Sequence, residues 1–317
     1  MTISNKDERS ARVSLGLPVY NGEKYLRQAL DSLLAQSFKG FELIIVDNAS
    51  TDATQEICES YAASDSRIRY YRNASNIGAA PNWNRAFDLA TGEYFKWAAH
   101  DDVCSPRLLE RCVEALDRDA TVVLCHGLAT AIDEHGKVIG DYMEKYDLLK
   151  DTDSHVTHKR FYDLIIRRHA CFQVFGLMRA AALAETPRIG SYTSSDLVLL
   201  AELALRGRFV EIGEPIYVRR HNEQYCALEN SELMLSWYDP NAKSDQNLVV
   251  SRMLREYSSA IQRSKLKWKS WLACYLVLAR WVVRKRARLK AELGYLMKKK
   301  KQAGARRRVA GSARPDK

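Results

Sequence analysis

The stretch that decides the fold runs from Tyr94 to Pro106 and reads Tyr-Phe-Lys-Trp-Ala-Ala-His-Asp-Asp-Val-Cys-Ser-Pro. Its beginning, Tyr94–Ala99, is aromatic and apolar apart from one lysine, which predicts a short buried strand. Two adjacent carboxylates, Asp101 and Asp102, follow that strand, and Pro106 is typical of the first turn of a helix. In open α/β sheets, ligands bind outside the carboxyl ends of the strands. The pair therefore indicates a ligand site, unless it is only a solvated loop.

The chemistry of two neighbouring carboxylates favours a cation. Like charges held close together repel each other and raise each other's pKa unless a positive group joins them. Oxygen ligands on a loop suit Mg²⁺ or Mn²⁺, and such ions usually complete their shell with substrate phosphates. Asp101 and Asp102 are thus candidate ligands for Mg²⁺ or Mn²⁺.

Two apolar runs nearer the N-terminus, Val13–Leu17 and Phe41–Val46, also end in polar sequences. The first leads into Pro18–Gly22, and the second leads into Asp47–Asp52. Residues with helical periodicity follow each run. This alternation with short loops predicts an α/β fold with a mostly parallel sheet. Three polar clusters at one edge of that sheet would form a single site.

Composition excludes several classes of protein. The 15 glycines include no G-x-G, so the phosphate turn of a dinucleotide-binding enzyme is missing, and a P-loop is absent too. Seven scattered cysteines without a C-x-x-C pair argue against a disulfide framework or a zinc site and fit a reducing cytoplasm. The polar start of the chain and the lack of a long apolar run predict neither a signal peptide nor a membrane-spanning helix.

Charge is concentrated at the C-terminal end. Residues 263–317 contain 19 Lys or Arg and 2 Asp or Glu, a local charge of +17. Because the whole chain carries +10, the preceding residues carry −7. Within this region, 271–283 is an apolar segment that contains Arg280. It is too short to span a bilayer but suits the interface of an anionic membrane. A helix packed on the domain and followed by a disordered tail is the alternative, and nucleic-acid binding is not expected.

Five motifs in order resemble those of the family 2 glycosyltransferases with the GT-A fold. The resemblance covers about residues 12–225 and rests on Leu17–Asn21, Val46–Asp52, Asn76 with Gly78, Gly92–Tyr94 and His100–Asp102. It implies a GT-A-like α/β fold, with a mostly parallel central sheet flanked by helices. We expect a polar lead at 1–12, a GT-A domain at 13–230 and a basic helical extension at 231–317. Within the domain, 13–105 would bind the nucleotide-sugar and 106–230 the acceptor.

The resemblance also implies roles for particular residues. Asp47 would accept a hydrogen bond from the nucleotide base, and Asp101 would be the metal-binding member of a D-x-D motif with Asp102 beside it. Ala99 replaces the first Asp of that motif, and Trp83 stands where an Arg is common. The residues implied in nucleotide-sugar binding are Pro18, Tyr20, Asn21, Asp47, Asn76, Gly78, Asn84 and Asp101.

Asp196 stands where the family places its catalytic base, although the usual Glu-Asp is here Ser-Asp. It begins a strong helical pattern, so a helix N-terminal charge is the alternative role. The segment Phe172–Arg179, which contains Gly176, resembles the acceptor side of the family's site. Arg219-Arg220-His221 would stabilise leaving-group charge or simply end a strand.

The function implied is inverting transfer of a sugar from a nucleotide diphosphate to a glycan or lipid-linked acceptor, in cell-surface or secreted glycan synthesis. Processive members carry Q-x-x-R-W, but here Val277 precedes Arg280-Trp281 where Gln would stand, so a single addition is expected. The expected location is cytoplasmic, peripheral on the inner face of the membrane. Two alternatives remain open: a sugar-phosphate nucleotidyltransferase, and a non-catalytic scaffold that uses the basic tail.

Overall fold

The structure, a computed structural model, describes residues 11–139, 149–169, 171–221 and 248–312, with side chains up to Lys299. Residues 1–10 of the predicted polar lead lie outside these ranges. The predicted boundary near residue 230 also lies outside the described residues.

The described strands form one mixed sheet. They are β1 (Val13–Val19), β2 (Phe41–Asp47), β3 (Ile68–Arg72), β4 (Tyr94–Trp97), β5 (Val103–Cys104), β6 (Val122–Ile132), β7 (Leu177–Arg179) and β8 (Arg208–Arg220). Their order in the sheet is β3-β2-β1-β4-β7-β6-β8-β5. The β3-β2-β1-β4 half is parallel, β7 pairs antiparallel with β4 and β6, and β6 pairs parallel with β8.

Helices cover both faces of the sheet. They are α1 (Leu26–Leu34), α2 (Thr54–Ser64), α3 (Ala79–Asp88), α4 (Leu108–Arg118), α5 (Thr157–Ile166), α6 (Ala180–Ala184), α7 (Ser195–Arg206), α8 (Val249–Arg263) and α9 (Trp268–Ser312), with a 3₁₀ turn at Phe172–Phe175. One core contains side chains of α1, α2 and α4. The other contains side chains of α5, α7, α8 and α9. This arrangement of layers buries the sheet on both faces, which is why β1 and β2 are apolar almost throughout.

Two elements differ from their sequence prediction. Two apolar runs, Thr121–His126 and Leu128–Asp133, predict two short strands, but the structure has one strand, β6, with irregular register between Val122 and Ala129. A side chain at Gly127 would collide with Ile216, since an added Cβ would lie 2.0 Å from its Cγ1. The glycine therefore marks a close approach within a continuous strand rather than its end. Helix α4 begins at Leu108, slightly later than Pro106 predicts.

The basic C-terminal region packs on the rest of the fold. Tyr257 of α8 is buried, and its ring meets those of Phe161 on α5 and Trp281 on α9 edge to face, with centroids 6.1 and 5.5 Å apart. Helices α8 and α9 therefore share a core with α5. Within the described ranges, none of the helices combines the length and apolar composition that crossing a bilayer requires.

Candidate functional site

The carboxyl ends of the parallel strands form the edge at which the predicted residues meet. Register places Val19, Asp47 and Arg72 side by side on β1, β2 and β3. Ala98 extends β4 by donating to the carbonyl of Gly16 at 2.8 Å. The loops that follow these strands therefore converge, as parallel strands require.

Asp47 is fully buried at this edge. Its Oδ1 accepts a hydrogen bond from the Ser50 amide at 2.8 Å. Its Oδ2 accepts hydrogen bonds from the Tyr70 hydroxyl at 3.0 Å and from the Arg72 guanidinium. Tyr70 and Arg72 were not singled out in the sequence analysis, because β3 contains none of the motifs on which the family resemblance rests.

A network of asparagines fixes the loop that contains Asn76 and Gly78. The Asn48 amide donates to Asn76 Oδ1 at 2.8 Å, and Asn48 Oδ1 accepts from Asn73 at 2.9 Å. Asn73 also donates to Asn82 Oδ1 at 2.8 Å. Gly78 has a φ of 89°, a left-handed conformation that favours glycine. The loop is thus held rigidly beside Asp47.

The first loop lies against the His100 loop. Pro18 is buried in β1, while Tyr20 is 42% exposed. Asn21 Oδ1 accepts a hydrogen bond from the Thr51 amide at 2.9 Å. An added Cβ at Gly22 would lie 2.8 Å from the ring of His100, so a larger residue would push the two loops apart.

Asp101 and Asp102 are almost completely buried. The Tyr217 hydroxyl donates to Asp102 Oδ2, and the Arg220 amide donates to Asp102 Oδ1 at 2.8 Å. Burial, followed by the neighbouring Asp101 carboxylate, raises the pKa of Asp102 to about 7. The pair is therefore a site where added positive charge is favourable.

The guanidinium of Arg220 fixes the loop that contains Asp101 and Asp102. Its Nε donates to the carbonyl of Asp101 at 3.1 Å, and its other nitrogens donate to the carbonyl of Asp133 and the side chain of Gln28 at 3.1 and 2.7 Å. Only 2% of Arg220 is exposed. These bonds tie the Asp101 loop to α1 and to the end of β6, which favours the strand-end role over leaving-group stabilisation, the two roles that the sequence left open.

The carboxylates of this loop suit a metal ion that takes most of its ligands from the substrate and from water. Among the described residues, no three Cys, His, Asp or Glu side chains come together as a metal cluster. Mg²⁺ needs only one or two carboxylates when substrate phosphates and water fill the other positions. Asp102 accepts hydrogen bonds from Tyr217 and Arg220, which fix it beside Asp101, the member of the pair that the family resemblance implies as the metal ligand.

Lys96 connects this loop to the predicted acceptor side. It is fully buried, and its Nζ donates to the carbonyl of Phe175 at 2.6 Å and to that of Trp97 at 3.0 Å. The same ammonium lies 5.3 Å from the ring centroid of Tyr217, which stacks on Phe175 at 5.6 Å. A lysine inside an apolar strand is a signal that the sequence analysis did not use.

Asp196 lies at the start of α7, half-buried, with Oδ1 accepting from the Leu197 amide at 2.9 Å. Burial and the Asp196 carboxylate, to which the thiol donates a hydrogen bond, raise the pKa of Cys171. Cys171 and Ser194 both adopt left-handed backbone conformations, with φ of 58° and 68°. Such strain in non-glycine residues collects at functional sites. The structure thus brings Asp196 to the segment that contains Phe172–Phe175.

Asn84 joins the two halves of the site. Its amide donates to the carbonyl of Ile189 at 2.8 Å, and its Oδ1 accepts from the Ile189 amide at 3.1 Å. Asn84 therefore ties α3 to the loop before α7.

Comparison with known proteins gives the family. The model of glycosyl transferase family 2 matches residues 14–175, just over half of the chain. The chain belongs to glycosyltransferase family 2. An uncharacterised glycosyltransferase of Rickettsia typhi is 38% identical over 119 residues, which are 37% of this chain and 36% of that protein. The first curated relatives are matched over only 20 to 36% of their own length.

Solved structures show the same architecture. Residues 1–349 of S. aureus TarS in complex with UDP superpose with a TM-score of 0.59 at 18% identity, covering 87% of this chain and 72% of that one. The mannosyltransferase PcManGT from Pyrobaculum calidifontis, in complex with GDP-Man and Mn²⁺, gives 0.53 at 15% identity, covering 95% and 79%. The fold is of the GT-A type, as predicted.

Proposed function

We propose that this protein transfers a sugar from a nucleotide diphosphate donor to an acceptor hydroxyl, with inversion at the anomeric carbon. The observation that carries the proposal is the convergence of Asp47, the Asn76–Gly78 loop and the Asp101–Asp102 pair at one sheet edge. Solved structures of the same fold hold UDP and GDP-Man, which supports a nucleotide-sugar as the donor.

The nucleotide would lie along the ends of β1 and β2. A carboxylate oxygen can accept two hydrogen bonds, and Asp47 Oδ1 accepts one, from Ser50. Asp47 is thus suited to accept from the base N–H. Tyr20, which is exposed beside it, and the Asn21 and Gly78 loops would line the base and ribose. Asn84 would support the nucleotide site indirectly, by fixing α3 against the loop that contains Ile189.

The diphosphate would lie over Asp101. A Mg²⁺ or Mn²⁺ ion bound there with Asp102 beside it would neutralise the phosphate charge that develops as the nucleotide leaves. The protein's own contribution is a rigid carboxylate loop, held by Tyr217 and Arg220. A charged group that is already in position stabilises the transition state more than a mobile one, because it need not rearrange during the reaction.

Asp196 would be the general base. It would take the proton from the acceptor hydroxyl as that oxygen bonds to the anomeric carbon and the carbon–phosphate oxygen bond breaks. Asp196 lies in the first turn of α7, where the helix dipole interacts favourably with a negative side chain. Attack from the face opposite the diphosphate gives inversion. The acceptor would be a glycan or a lipid-linked sugar of the cell surface.

A thermal-shift screen with UDP-, GDP- and TDP-sugars, with and without Mn²⁺, tests the proposal. A donor present at a hundredfold excess over its Kd stabilises the folded state by about 2.7 kcal/mol. We expect one nucleotide class to raise the melting temperature and Asp47→Asn to remove the effect, while exposed Asp88→Asn keeps it. No shift with any nucleotide-sugar would contradict the proposal. Pyrophosphate release from a nucleoside triphosphate and a sugar phosphate would instead indicate a nucleotidyltransferase.

A further inference from the structure

Helix α9 carries apolar side chains on two opposite faces. One face packs on α5 and α8 through Cys274, Leu278 and Trp281, which are all buried. Leu276 lies two residues from both Cys274 and Leu278, which is about 200° around an α-helix. Its side chain is 64% exposed. The packed helix therefore presents a second apolar face away from the core.

This second face continues as an apolar stripe, defined as Trp268, Leu272, Leu276 and Val283. Their exposed fractions are 70%, 46%, 64% and 57%. Spacings of four and seven residues keep these side chains on one side of the helix. Single exposed apolar residues are common on protein surfaces, but a contiguous row marks an interaction surface.

An open groove of about 490 Å³ between α8 and α9 borders the stripe. Leu254 of α8 and Tyr275 and Val282 of α9 form its largely apolar wall, and the exposed Arg255 lines it as well. The exposed Ala279 also lines the groove, and it lies three residues after Leu276 and four before Val283, so it is a neighbour of both stripe residues on the helix surface. The groove and the stripe thus form one continuous apolar surface with a guanidinium beside it.

The surroundings of this surface are positively charged. Lys267, Lys269, Arg280 and Arg284 are exposed along the same part of α9 and just before it. Between residues 264 and 312 the sequence contains one acidic residue, Glu292. That carboxylate is buried and accepts hydrogen bonds from the amides of Val250 and Ser251 at 2.7 and 2.8 Å. The exposed surface of α9 therefore combines apolar and basic side chains, as far as its side chains are described.

We propose that the stripe and groove dock on an anionic lipid bilayer, with α9 lying in the plane of the surface. The apolar side chains enter the boundary between headgroups and acyl chains, and the flanking basic groups bind lipid phosphates. Charge complementarity selects this partner, since the surface matches an apolar layer beneath negative headgroups.

Co-sedimentation of the full chain with vesicles tests this. One vesicle set is phosphatidylcholine alone, and the other adds phosphatidylglycerol. We expect binding to the anionic set, weakened by salt. Leu272→Ser with Leu276→Ser lowers partitioning by at least about tenfold, since burial of one large apolar side chain is worth that factor. Val138→Ser, which changes a 62% exposed residue outside α9, is the matched control and keeps wild-type binding.

A second variant separates charge from apolar contact. Lys269→Glu with Arg284→Glu removes the preference for anionic lipid while the melting temperature is unchanged, because both side chains are exposed. Equal sedimentation of wild type and both variants overturns the proposal. A wild type that does not bind vesicles also overturns it. If sedimentation velocity then shows a dimer that the Leu272 and Leu276 substitutions dissociate, the stripe binds a second copy of the chain instead.

Discussion

The Tyr217 hydroxyl donates a hydrogen bond to Asp102, and so joins strand β8 to the loop after β4. The second donor to that carboxylate, the Arg220 amide, also comes from β8. Pairing of Val103 with Val218 brings the two segments together. The carboxylate loop is therefore built on a strand more than a hundred residues away in sequence, and the position of Asp101 depends on it.

Tyr217→Phe tests this dependence. The substitution leaves a buried carboxylate with one donor fewer, which typically costs about 1–3 kcal/mol. We expect the free energy of unfolding in urea to fall by that amount. Tyr61→Phe is the control, because its hydroxyl bonds Asp31 at the surface, where a change within about 0.5 kcal/mol is usual. Equal losses for the two variants would show that Tyr217 does not hold the loop.

Asp101→Asn tests the metal ligand. If Asp101 binds the ion together with the donor diphosphate, the variant binds donor at least about tenfold more weakly in Mn²⁺. EDTA weakens binding by the wild type but has no further effect on the variant. Calorimetric titration of the donor measures both changes. Asp88→Asn, at an exposed position paired with Arg188, keeps wild-type affinity. Donor affinity that responds to neither EDTA nor the substitution contradicts the metal role.

The parallel half of the fold was predictable because local patterns and topology agree there. Apolar runs such as Phe41–Val46 are long enough to identify strands, and polar sequences at their ends must meet at one sheet edge. Asp47 and Asp101 are placed in this way. Their partners were not predictable, because Arg72 reaches Asp47 and Arg220 reaches the carbonyl of Asp101 through strand register and side-chain direction that no local pattern encodes.

The C-terminal helices show the same limit. Residues 271–283 read as one apolar segment, and composition cannot say which side of a helix packs. The structure divides the segment, with Cys274, Leu278 and Trp281 inside and Leu276 outside. The sequence allowed two interpretations, a packed helix and an exposed apolar surface, and each describes one face of α9. Which residues belong to which face is decided by the contacts of α9 with α5 and α8.

His126 predicts how stability depends on pH. Burial lowers the pKa of this histidine below its ordinary value of 6.5, although Glu211 acts in the opposite direction. The unfolded chain therefore takes up a proton near pH 6.5 while the folded chain does not. The free energy of unfolding therefore falls as the pH drops below 6.5. His126 contributes at most about 1.4 kcal/mol per pH unit to this fall.

Urea unfolding of His126→Gln between pH 5.5 and 7.5, at about half-unit steps, checks this dependence. The variant should lose less stability on acidification than the wild type. His135→Gln is the control, since that side chain is 82% exposed, and it should keep the wild-type slope. Identical slopes for wild type and His126→Gln would mean that this histidine does not contribute.

Asp196→Asn is expected to slow sugar transfer at least about a hundredfold and to leave donor binding unchanged. Asparagine keeps the shape of the side chain and its bond with the Leu197 amide, so the melting temperature should be that of the wild type. It cannot take a proton, and removal of a general base typically costs about 10²–10⁴ in rate. Donor titration, thermal unfolding and a transfer assay separate these effects, with exposed Asp153→Asn as the control. Transfer within a few-fold of wild type would exclude Asp196 as the base. A lowered melting temperature would instead assign the carboxylate to the N-terminus of α7, where its charge stabilises the helix.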